Sequence, residues 1–181
     1  MPDFQKGQYM SKIILASKSP RRIELLKMCN INFNSLVADI DEDLIKSDTL
    51  ATFKEEKTFE QAEILTKKLA YEKALYIYKE NPDHLVIGSD TLVVTDKSIL
   101  GKPKDPQDAY IMLRELSGQV HRVYTGVSII GPGYEDTFVS IAPVKFYDFD
   151  PAMDQIIIDY IASGSPMDKA GGYGIQDMGA L

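Results

Sequence analysis

The chain has 181 residues, of which 44% are hydrophobic and 26% charged, a composition that excludes a disordered, collagen-like or coiled-coil protein. Its 27 acidic and 20 basic residues give a formal net charge of −7, which argues against binding duplex nucleic acid along a basic face. Cys29 is the only cysteine, so the chain cannot form an intrachain disulfide or a zinc cage of thiolates. The apolar runs are too short to cross a bilayer, and we expect a protein of the cytoplasm.

The order of apolar runs and turn residues predicts an α/β chain. The first nine residues are mostly polar, and residues 1–11 are expected to be a flexible extension before a single domain at 12–181. The periodicity predicts, in chain order, a strand at 12–15, a helix from Pro20 to near Asn30, a strand at 33–37, a helix at 58–79, short strands at 85–87 and 92–94, a helix over 109–116, antiparallel strands at 120–130 and 137–146, and a helix at 151–162. This order favours a mixed sheet with helices packed on it.

Three connecting stretches are predicted to lack regular structure. Asp39–Asp43 is predicted to be an acidic loop, 47–57 a surface connection of mixed charge, and Gly88–Thr91 a loop between the two short central strands. The glycine-rich segment from Ser165 onwards shows no periodic pattern.

The first candidate site is the run Ser17-Lys18-Ser19-Pro20-Arg21-Arg22, which follows the first strand. Ser19 is placed to cap the next helix, and Pro20 occupies its first position. Free N–H groups at a helix N-terminus bind anions, and arginine forks match phosphate oxygens, so this segment fits an oligophosphate. The alternative is an ordinary capped helix with solvated arginines, which the spacing alone slightly favours.

The second candidate is Asp90, which follows the apolar run Leu85–Ile87 at the kind of strand end where α/β proteins often place ligands. Its alternative role is that of a turn-forming aspartate. The acidic loop offers a second carboxylate, and Mg²⁺ is usually held by one or two carboxylates together with substrate phosphate and water. An acidic run is more often simply a solvated surface.

Two lysines and a glycine-rich motif complete the candidates. Lys73 interrupts the apolar face of the helix at 58–79, and Lys102 lies in a Gly-Lys-Pro loop. Each can neutralise phosphate as a point charge, or serve structure alone, at the rim of a core or in a turn. The motif Asp168–Gln176 combines charged and amide groups with three glycines, which suits either close approach to a ligand or a mobile tail.

Absent motifs narrow the class of enzyme. The sequence contains no G-x-x-x-x-G-K-[ST], G-x-G-x-x-G, H-E-x-x-H or G-x-S-x-G, which disfavours Walker-type ATPases, Rossmann dehydrogenases, zincins and serine hydrolases. His84 and His121 are isolated and are not expected to bind metal. The residues alone therefore predict an α/β protein that binds a metal-complexed, phosphorylated small molecule.

Six motifs follow one another across residues 12–181: Ile13–Arg22, Leu69–Ala74, Ile87–Thr91, Gly101–Pro103, Leu116–Gly118 and Asp168–Gln176. In order and spacing they resemble the Maf family of nucleoside triphosphate pyrophosphatases. Several independent motifs in one order are more specific than any single one, so the resemblance favours the functional roles over the structural alternatives.

The resemblance implies a fold related to that of inosine triphosphate pyrophosphatases, with an elongated mixed sheet flanked by helices and a cleft between two lobes. It implies a hydrolase acting on phosphoric anhydrides, in which water attacks the α-phosphorus of a nucleoside triphosphate with the help of Mg²⁺ or Mn²⁺. A homodimer is also expected. Because family members continue beyond Leu181, the family's C-terminal strand and helix are expected to be missing here.

The motifs imply a role for each matching residue. Asp90 and Glu42 are implied to be catalytic carboxylates and metal ligands, and Lys73 and Lys102 are implied to take part in catalysis at the phosphates. The residues implied to bind substrate are Ser17, Arg21, Arg22, Thr91, Lys169 and Gln176.

Three of these residues, Arg21, Thr91 and Gln176, resemble the branch of the family that acts on dTTP and UTP. Modified pyrimidine triphosphates are further expected substrates, since a glutamine amide can both donate to and accept from a pyrimidine edge. Two alternatives stay open: a 7-methyl-GTP pyrophosphatase, and a nucleotide-binding regulator of cell division and septum formation that shows no turnover.

Overall fold

The computed structural model describes residues 12–177, and over them it shows a mixed α/β chain. The strands are β1 (Ile13–Ala16), β2 (Asn34–Leu36), β3 (Leu85–Val94), β4 (Ile99–Leu100), β5 (Val120–Gly131) and β6 (Tyr134–Lys145). The α-helices are α1 (Pro20–Met28), α2 (Glu42–Thr52), α3 (Thr58–Glu80), α4 (Pro106–Leu116) and α5 (Pro151–Ala162), and two 3₁₀ turns follow at Ser165–Asp168 and Ala170–Gly172. Within this part of the chain, no helix has the length and apolar character needed to span a membrane.

The strands pair into one mixed sheet in the order β2-β1-β3-β5-β6, with β4 paired to β3. β1 runs parallel to both of its neighbours, with Ile14 opposite Asn34 on one side and Val86 on the other. β3 and β4 are antiparallel. The predicted mixed sheet flanked by helices is therefore confirmed.

The chain divides into two compact units. The first takes its described residues from Met1–Asp48, Lys67–Asp90 and Gly126–Phe138. The second takes them from Thr49–Thr66, Thr91–Thr125 and Val139–Leu181. The predicted single domain at 12–181 includes both units, while the predicted extension at 1–11 lies outside the described residues.

The core of the first unit is built from apolar side chains of β1, β3, β5 and α3. Its buried members are Ile14, Ala16, Ala74, Ile77, Val86 and Ile130. The apolar face predicted for α3 is confirmed, because Leu69 and Ile77 in the first unit and Ala62 and Leu65 in the second are all buried, and so is Lys73 in the same row. Burying one large aliphatic side chain is worth about 1.5–3 kcal/mol, so this row fixes the face that α3 presents to the core.

The predicted break in the central strand at Gly88–Thr91 is wrong, because β3 runs without interruption from Leu85 to Val94. Gly88 does not form a turn; it lies within β3, at a point where the strand packs against α3. A Cβ at this position would lie 2.2 Å from the Ala70 carbonyl oxygen and 2.7 Å from the Ala74 nitrogen, both on α3. The glycine therefore allows helix and strand to approach closely, a recognised use of glycine inside strands.

We expect Gly88→Ala to lower the free energy of unfolding by about 2–3 kcal/mol, because the new methyl group meets rigid helix backbone. Gly101→Ala is the matched control, since a Cβ there has no neighbour within 4 Å. Urea unfolding of both variants measures the difference. Equal stabilities would contradict the close packing of α3 on β3.

A second correction concerns the acidic loop at Asp39–Asp43 and the surface connection at 47–57. Both predictions are wrong in part, because Glu42–Thr52 forms α2. Asp41 Oδ1 accepts a hydrogen bond from the Leu44 backbone N–H at 2.9 Å, and Glu42 and Asp43 occupy the first turn. An acidic cluster at this point stabilises a helix N-terminus through capping and the helix dipole.

The core of the second unit is larger and contains a buried aromatic group. Its buried members are Val93, Leu100, Met112, Leu113, Leu116, Phe146, Met153, Ile157, Tyr160 and Tyr173. His121 is 1% exposed and packs edge-on against Phe146 and Tyr173, with its Nε2 2.6 Å from the Tyr173 hydroxyl. His121 is thus part of this core, and burial lowers the pKa of its ring to about 4.

The buried ring of His121 makes stability depend on pH. The unfolded chain protonates this histidine below about pH 6.5, whereas the folded protein does so only near pH 4, so the contribution is complete above pH 6.5 and is lost as the pH falls. Allowing for solvent screening, we expect a loss of about 2 kcal/mol across that window. Urea unfolding of the wild type and His121→Gln at about pH 7 and pH 4.5 measures it, and identical pH dependence in the two proteins would contradict it.

Candidate active site

The loop between β1 and α1 is organised by the hydroxyl of Ser17. Helix α1 begins at Pro20 as predicted, and Ser19 is its N-cap residue, but the predicted capping role of the Ser19 side chain is wrong because it makes no capping bond. Instead, Ser17 Oγ accepts from the Ser19 backbone N–H at 3.1 Å. From β2, Ser35 Oγ donates to the Ser17 carbonyl oxygen at 2.5 Å, which fixes the loop at the start of the helix.

The two adjacent arginines of α1 have different surroundings. Arg22 Nη1 donates to Ser17 Oγ at 3.3 Å. Burial lowers the pKa of Arg22, while the nearby negative charges of Asp90 and Glu42 oppose that shift. Arg21 is exposed and forms an ion pair with Glu24 at 2.8 Å. The structure therefore places Arg22, and not Arg21, beside the two candidate carboxylates.

Lys73 lies between the two carboxylates that the sequence analysis selected. Its Nζ is 2.6 Å from Asp90 Oδ1 and 3.0 Å from Glu42 Oε1. Lys73 and Asp90 are 9% and 7% exposed, so the lysine does not extend to the rim of the core. Helix α3, strand β3 and the first turn of α2 thus bring one ammonium and two carboxylates together, with Arg22 and Ser17 beside them. We call these five residues the Lys73 cluster.

The electrostatics of the cluster suit a proton acceptor. Burial raises the pKa of Asp90, and the charge and hydrogen bond of Lys73 oppose this effect. A carboxylate with a raised pKa is a better base than one in water, and the ammonium helps to keep it ionised. The positive side chains beside it can stabilise negative charge that develops on a bound phosphate.

The oxygen donors of the cluster also fit a hard divalent cation. Within residues 12–177, no group of three or more His, Cys, Asp or Glu side chains is placed to hold a metal ion. Asp90 and Glu42 nevertheless lie close enough to each other to share one partner, Lys73 Nζ, and Mg²⁺ sites commonly use one or two carboxylates with water and substrate phosphate for the rest. Among the candidates, these two side chains are the ones that could hold such an ion.

The glycine-rich motif of the second unit is packed rather than loose. Gly171 N donates to the Gly101 carbonyl oxygen at 2.9 Å, so the loop that carries Lys102 is bonded directly to the motif. Gly171 and Gly172 have φ values of +67° and +74°, and a Cβ on Gly171 would lie 2.8 Å from Val93 Cγ2. Glycine is required here by both the backbone conformation and the contact with β3.

The remaining predicted substrate residues also lie in the second unit. Thr91 follows Asp90 in β3, and Lys102 is exposed in its loop. Lys169 Nζ donates to the Ser165 carbonyl oxygen at 2.7 Å and to Asp168 Oδ1 at 2.8 Å. Gln176 is exposed in the segment that follows the second 3₁₀ turn. The structure thus accounts for the local position of each, and their roles stay predictions.

Sequence analysis missed three residues that hold these segments in place: Ser35, Tyr160 and Asp177. Ser35 contacts a residue 18 positions away, and Tyr160 contacts one 17 positions away. No local spacing predicts such contacts. Only the parallel pairing of β1 with β2 could have placed Ser35, opposite Leu15, near the start of α1.

The fold and the Lys73 cluster define an α/β protein with an acid–base centre suited to phosphorylated ligands. The family described as Maf-like protein matches residues 12–181 of the sequence. The chain belongs to this family.

Several similar relatives carry the name dTTP/UTP pyrophosphatase. The one from Geobacillus sp. (strain WCH70) is 46% identical over 95% of this chain and 84% of its own length. Those from Thermosipho africanus (strain TCF52B) and Aquifex aeolicus (strain VF5) are 44% and 42% identical, over 94% and 93% of this chain and 79% and 80% of their own lengths. The solved structure of the Staphylococcus aureus Ham1 protein is 16% identical to this chain, with a TM-score of 0.44 over 73% of this chain and 69% of that one.

Proposed function

We propose that this chain is a dTTP/UTP pyrophosphatase, a hydrolase that converts these triphosphates to the monophosphate and pyrophosphate. The observation that carries the proposal is the placement of Lys73 between Asp90 and Glu42, beside Arg22, in a chain whose relatives bear that name. A purely binding protein needs positive charge for phosphates, but it has no need of a buried carboxylate with a raised pKa. That carboxylate therefore supports an enzyme over a regulator without turnover.

The proposed reaction uses Asp90 as the general base. Its carboxylate takes a proton from a water molecule, whose oxygen forms a bond to the α-phosphorus while the bond from that phosphorus to the bridging oxygen breaks. Pyrophosphate leaves with the electron pair of the broken bond. Lys73 and Arg22 stabilise the negative charge on the phosphate oxygens, and Ser17 contributes a hydroxyl at the helix N-terminus.

Asp90 and Glu42 are the residues that would hold Mg²⁺ or Mn²⁺. When bound, such an ion supplies Lewis acidity and neutralises part of the triphosphate charge. Glu42 suits this role because it is about half exposed, so it can turn from Lys73 to another cation without being desolvated.

Arg21, Thr91 and Gln176 are assigned to substrate selection, and Lys102 and Lys169 to the phosphates, on the strength of the family resemblance. Arg21 is paired with Glu24 in this structure, and both side chains are largely exposed. Exposed pairs of this kind are worth less than about 1 kcal/mol, so a triphosphate can readily draw Arg21 away. A cytoplasmic location and a homodimer belong to the same proposal and rest on the resemblance alone.

The test is pyrophosphate release from dTTP, UTP, CTP, 7-methyl-GTP and ITP, each with Mg²⁺, with Mn²⁺ and without metal. We expect metal-dependent release that is fastest with dTTP or UTP. A preference for 7-methyl-GTP would support the pyrophosphatase reaction but contradict the proposed specificity for dTTP and UTP. Binding without release from any of the five would reject the enzyme and favour the regulator.

A further inference from the structure

The segment that carries Gln176 is a tight turn. Asp177 N donates to the Gly174 carbonyl oxygen at 2.9 Å, which closes a four-residue β-turn with Ile175 and Gln176 at its two central positions. Both central side chains are exposed, and Ile175 is 63% exposed. The turn therefore presents Gln176 to solvent at its tip.

The hydroxyl of Tyr160, near the end of α5, bonds to both ends of this turn. It accepts from the Gly174 backbone N–H at 3.2 Å and donates to Asp177 Oδ2 at 2.6 Å. Burial and the hydrogen bond to Asp177 raise the pKa of Tyr160 to about 12, so the hydroxyl remains a donor at every pH at which the protein would be assayed. One buried side chain thus holds the two ends of the turn together.

Asp177 is in turn held by groups from the preceding segment. Ser165 Oγ donates to Asp177 Oδ2 at 2.8 Å, and Lys169 Nζ lies 3.5 Å from the same oxygen. A Cβ on Gly174 would lie 2.9 Å from Lys169 Cε, so the lysine stem packs directly against the turn. The turn is therefore tied at once to α5 and to the predicted substrate residue Lys169.

We propose that Tyr160 and Asp177 are positioning residues that hold the Gly174–Asp177 turn closed so that Gln176 can discriminate between nucleobases. This rests on the proposed function. An amide reads a base edge only when its backbone is fixed, because a mobile amide can offer donor and acceptor to any base equally well. Two bonds from a single rigid, buried phenol provide that fixation where the chain has no regular secondary structure.

The experiment compares Tyr160→Phe with a matched control. Tyr110→Phe is suitable because its hydroxyl makes the same kind of bond in the same unit, to Asp154 Oδ1 at 2.6 Å, and this bond joins α4 to α5 rather than α5 to the turn. The readouts are kcat and KM for dTTP and CTP, and amide hydrogen exchange at Gly174 and Asp177. Gln176→Ala and the double variant with Tyr160→Phe complete the set.

We expect Tyr160→Phe to lower the ratio of kcat/KM for dTTP over CTP by about tenfold, mainly through KM, and to speed exchange at Gly174. Gln176→Ala should lower this ratio by a similar factor. In the double variant the ratio should be no lower than in either single variant, because both changes remove the same interaction, the contact of Gln176 with the base. Tyr110→Phe should leave ratio and exchange at wild-type values. An unchanged ratio in Tyr160→Phe, or an equal fall in Tyr110→Phe, overturns the inference. Absence of release by the wild type overturns the proposed function instead.

Discussion

Replacing Asp90 with asparagine is expected to reduce pyrophosphate release from dTTP and UTP by about 10²–10⁴-fold, the range typical for loss of a general base. Asparagine has the same shape and can still accept a hydrogen bond from Lys73, but it cannot take a proton from water. The fold should be retained, because the buried negative charge is removed while Lys73 keeps Glu42 as a partner 3.0 Å away. Because Glu42 still pairs with Lys73, we expect a smaller loss of stability than the about 3–5 kcal/mol usual when a buried ion pair loses one partner.

Asp136→Asn is the control for this experiment, because it makes the same chemical change at an exposed position on β6. Steady-state rates with dTTP and urea unfolding should be measured on both variants. Asp136→Asn should match the wild type in both. Wild-type turnover in Asp90→Asn would remove Asp90 from the catalytic role assigned to it.

Helix α3 shows how much of the fold could be predicted from the sequence. The 3.6-residue periodicity of its apolar side chains gave a helix at 58–79, and the structure has Thr58–Glu80. The same row places Lys73 on the apolar face of the helix, but it leaves open whether the lysine extends to the rim of the core or is buried. Periodicity over more than six turns is a strong local signal, whereas the partner of that face is set by contacts elsewhere in the chain.

The two incorrect elements have a common physical origin. Gly88 and the acidic run around Glu42 were interpreted by their usual local preference, as a turn and as a solvated loop. In the folded chain Gly88 lies in a strand so close to α3 that a side chain would collide with the Ala70 carbonyl oxygen, and Glu42 begins a helix whose N-terminus its charge stabilises. Local preference is weak where packing or a helix terminus decides the conformation.

The candidate site shows the same limit. The sequence predicts site roles for Ser17, Arg22, Glu42, Lys73 and Asp90, and the structure brings them together from four separate segments. The sequence predicts the same role for Arg21 and Arg22. The orientation of α1 decides that Arg22 lies beside Asp90 while Arg21 is paired with Glu24. The direction of a side chain on a short helix depends on how the helix packs. Two adjacent arginines in the sequence therefore do not predict which of them faces the site.

Replacing Lys73 with methionine is expected to lower the free energy of unfolding at pH 7 by about 3–5 kcal/mol, the usual result of removing one partner from a buried ion pair. Methionine keeps the length of the side chain and suits a helix, so the main change is the loss of charge. Asp90 is then left as a buried carboxylate without its ammonium, while Glu42 is about half exposed and can be solvated. The variant should also lose most of its pyrophosphatase activity, since the phosphates lose a positive charge.

Lys68→Met is the matched control for Lys73→Met. Lys68→Met removes an exposed lysine of α3 that is paired with Glu72 at 2.7 Å, and it should cost less than about 1 kcal/mol. Adding Asp90→Asn to Lys73→Met should restore most of the lost stability, because no buried charge then remains. Burial raises the pKa of Asp90 and Lys73 opposes that rise, so in Lys73→Met this pKa lies higher than in the wild type. Stability from the neutral carboxyl is present at low pH and is lost as the pH rises through the folded-state pKa, so the deficit of the variant relative to the wild type should shrink as the pH falls from 7 to about 4.5. Urea unfolding of the four proteins at the two pH values measures this, and a Lys73→Met variant as stable as Lys68→Met would show that Lys73 does not compensate the charge of Asp90.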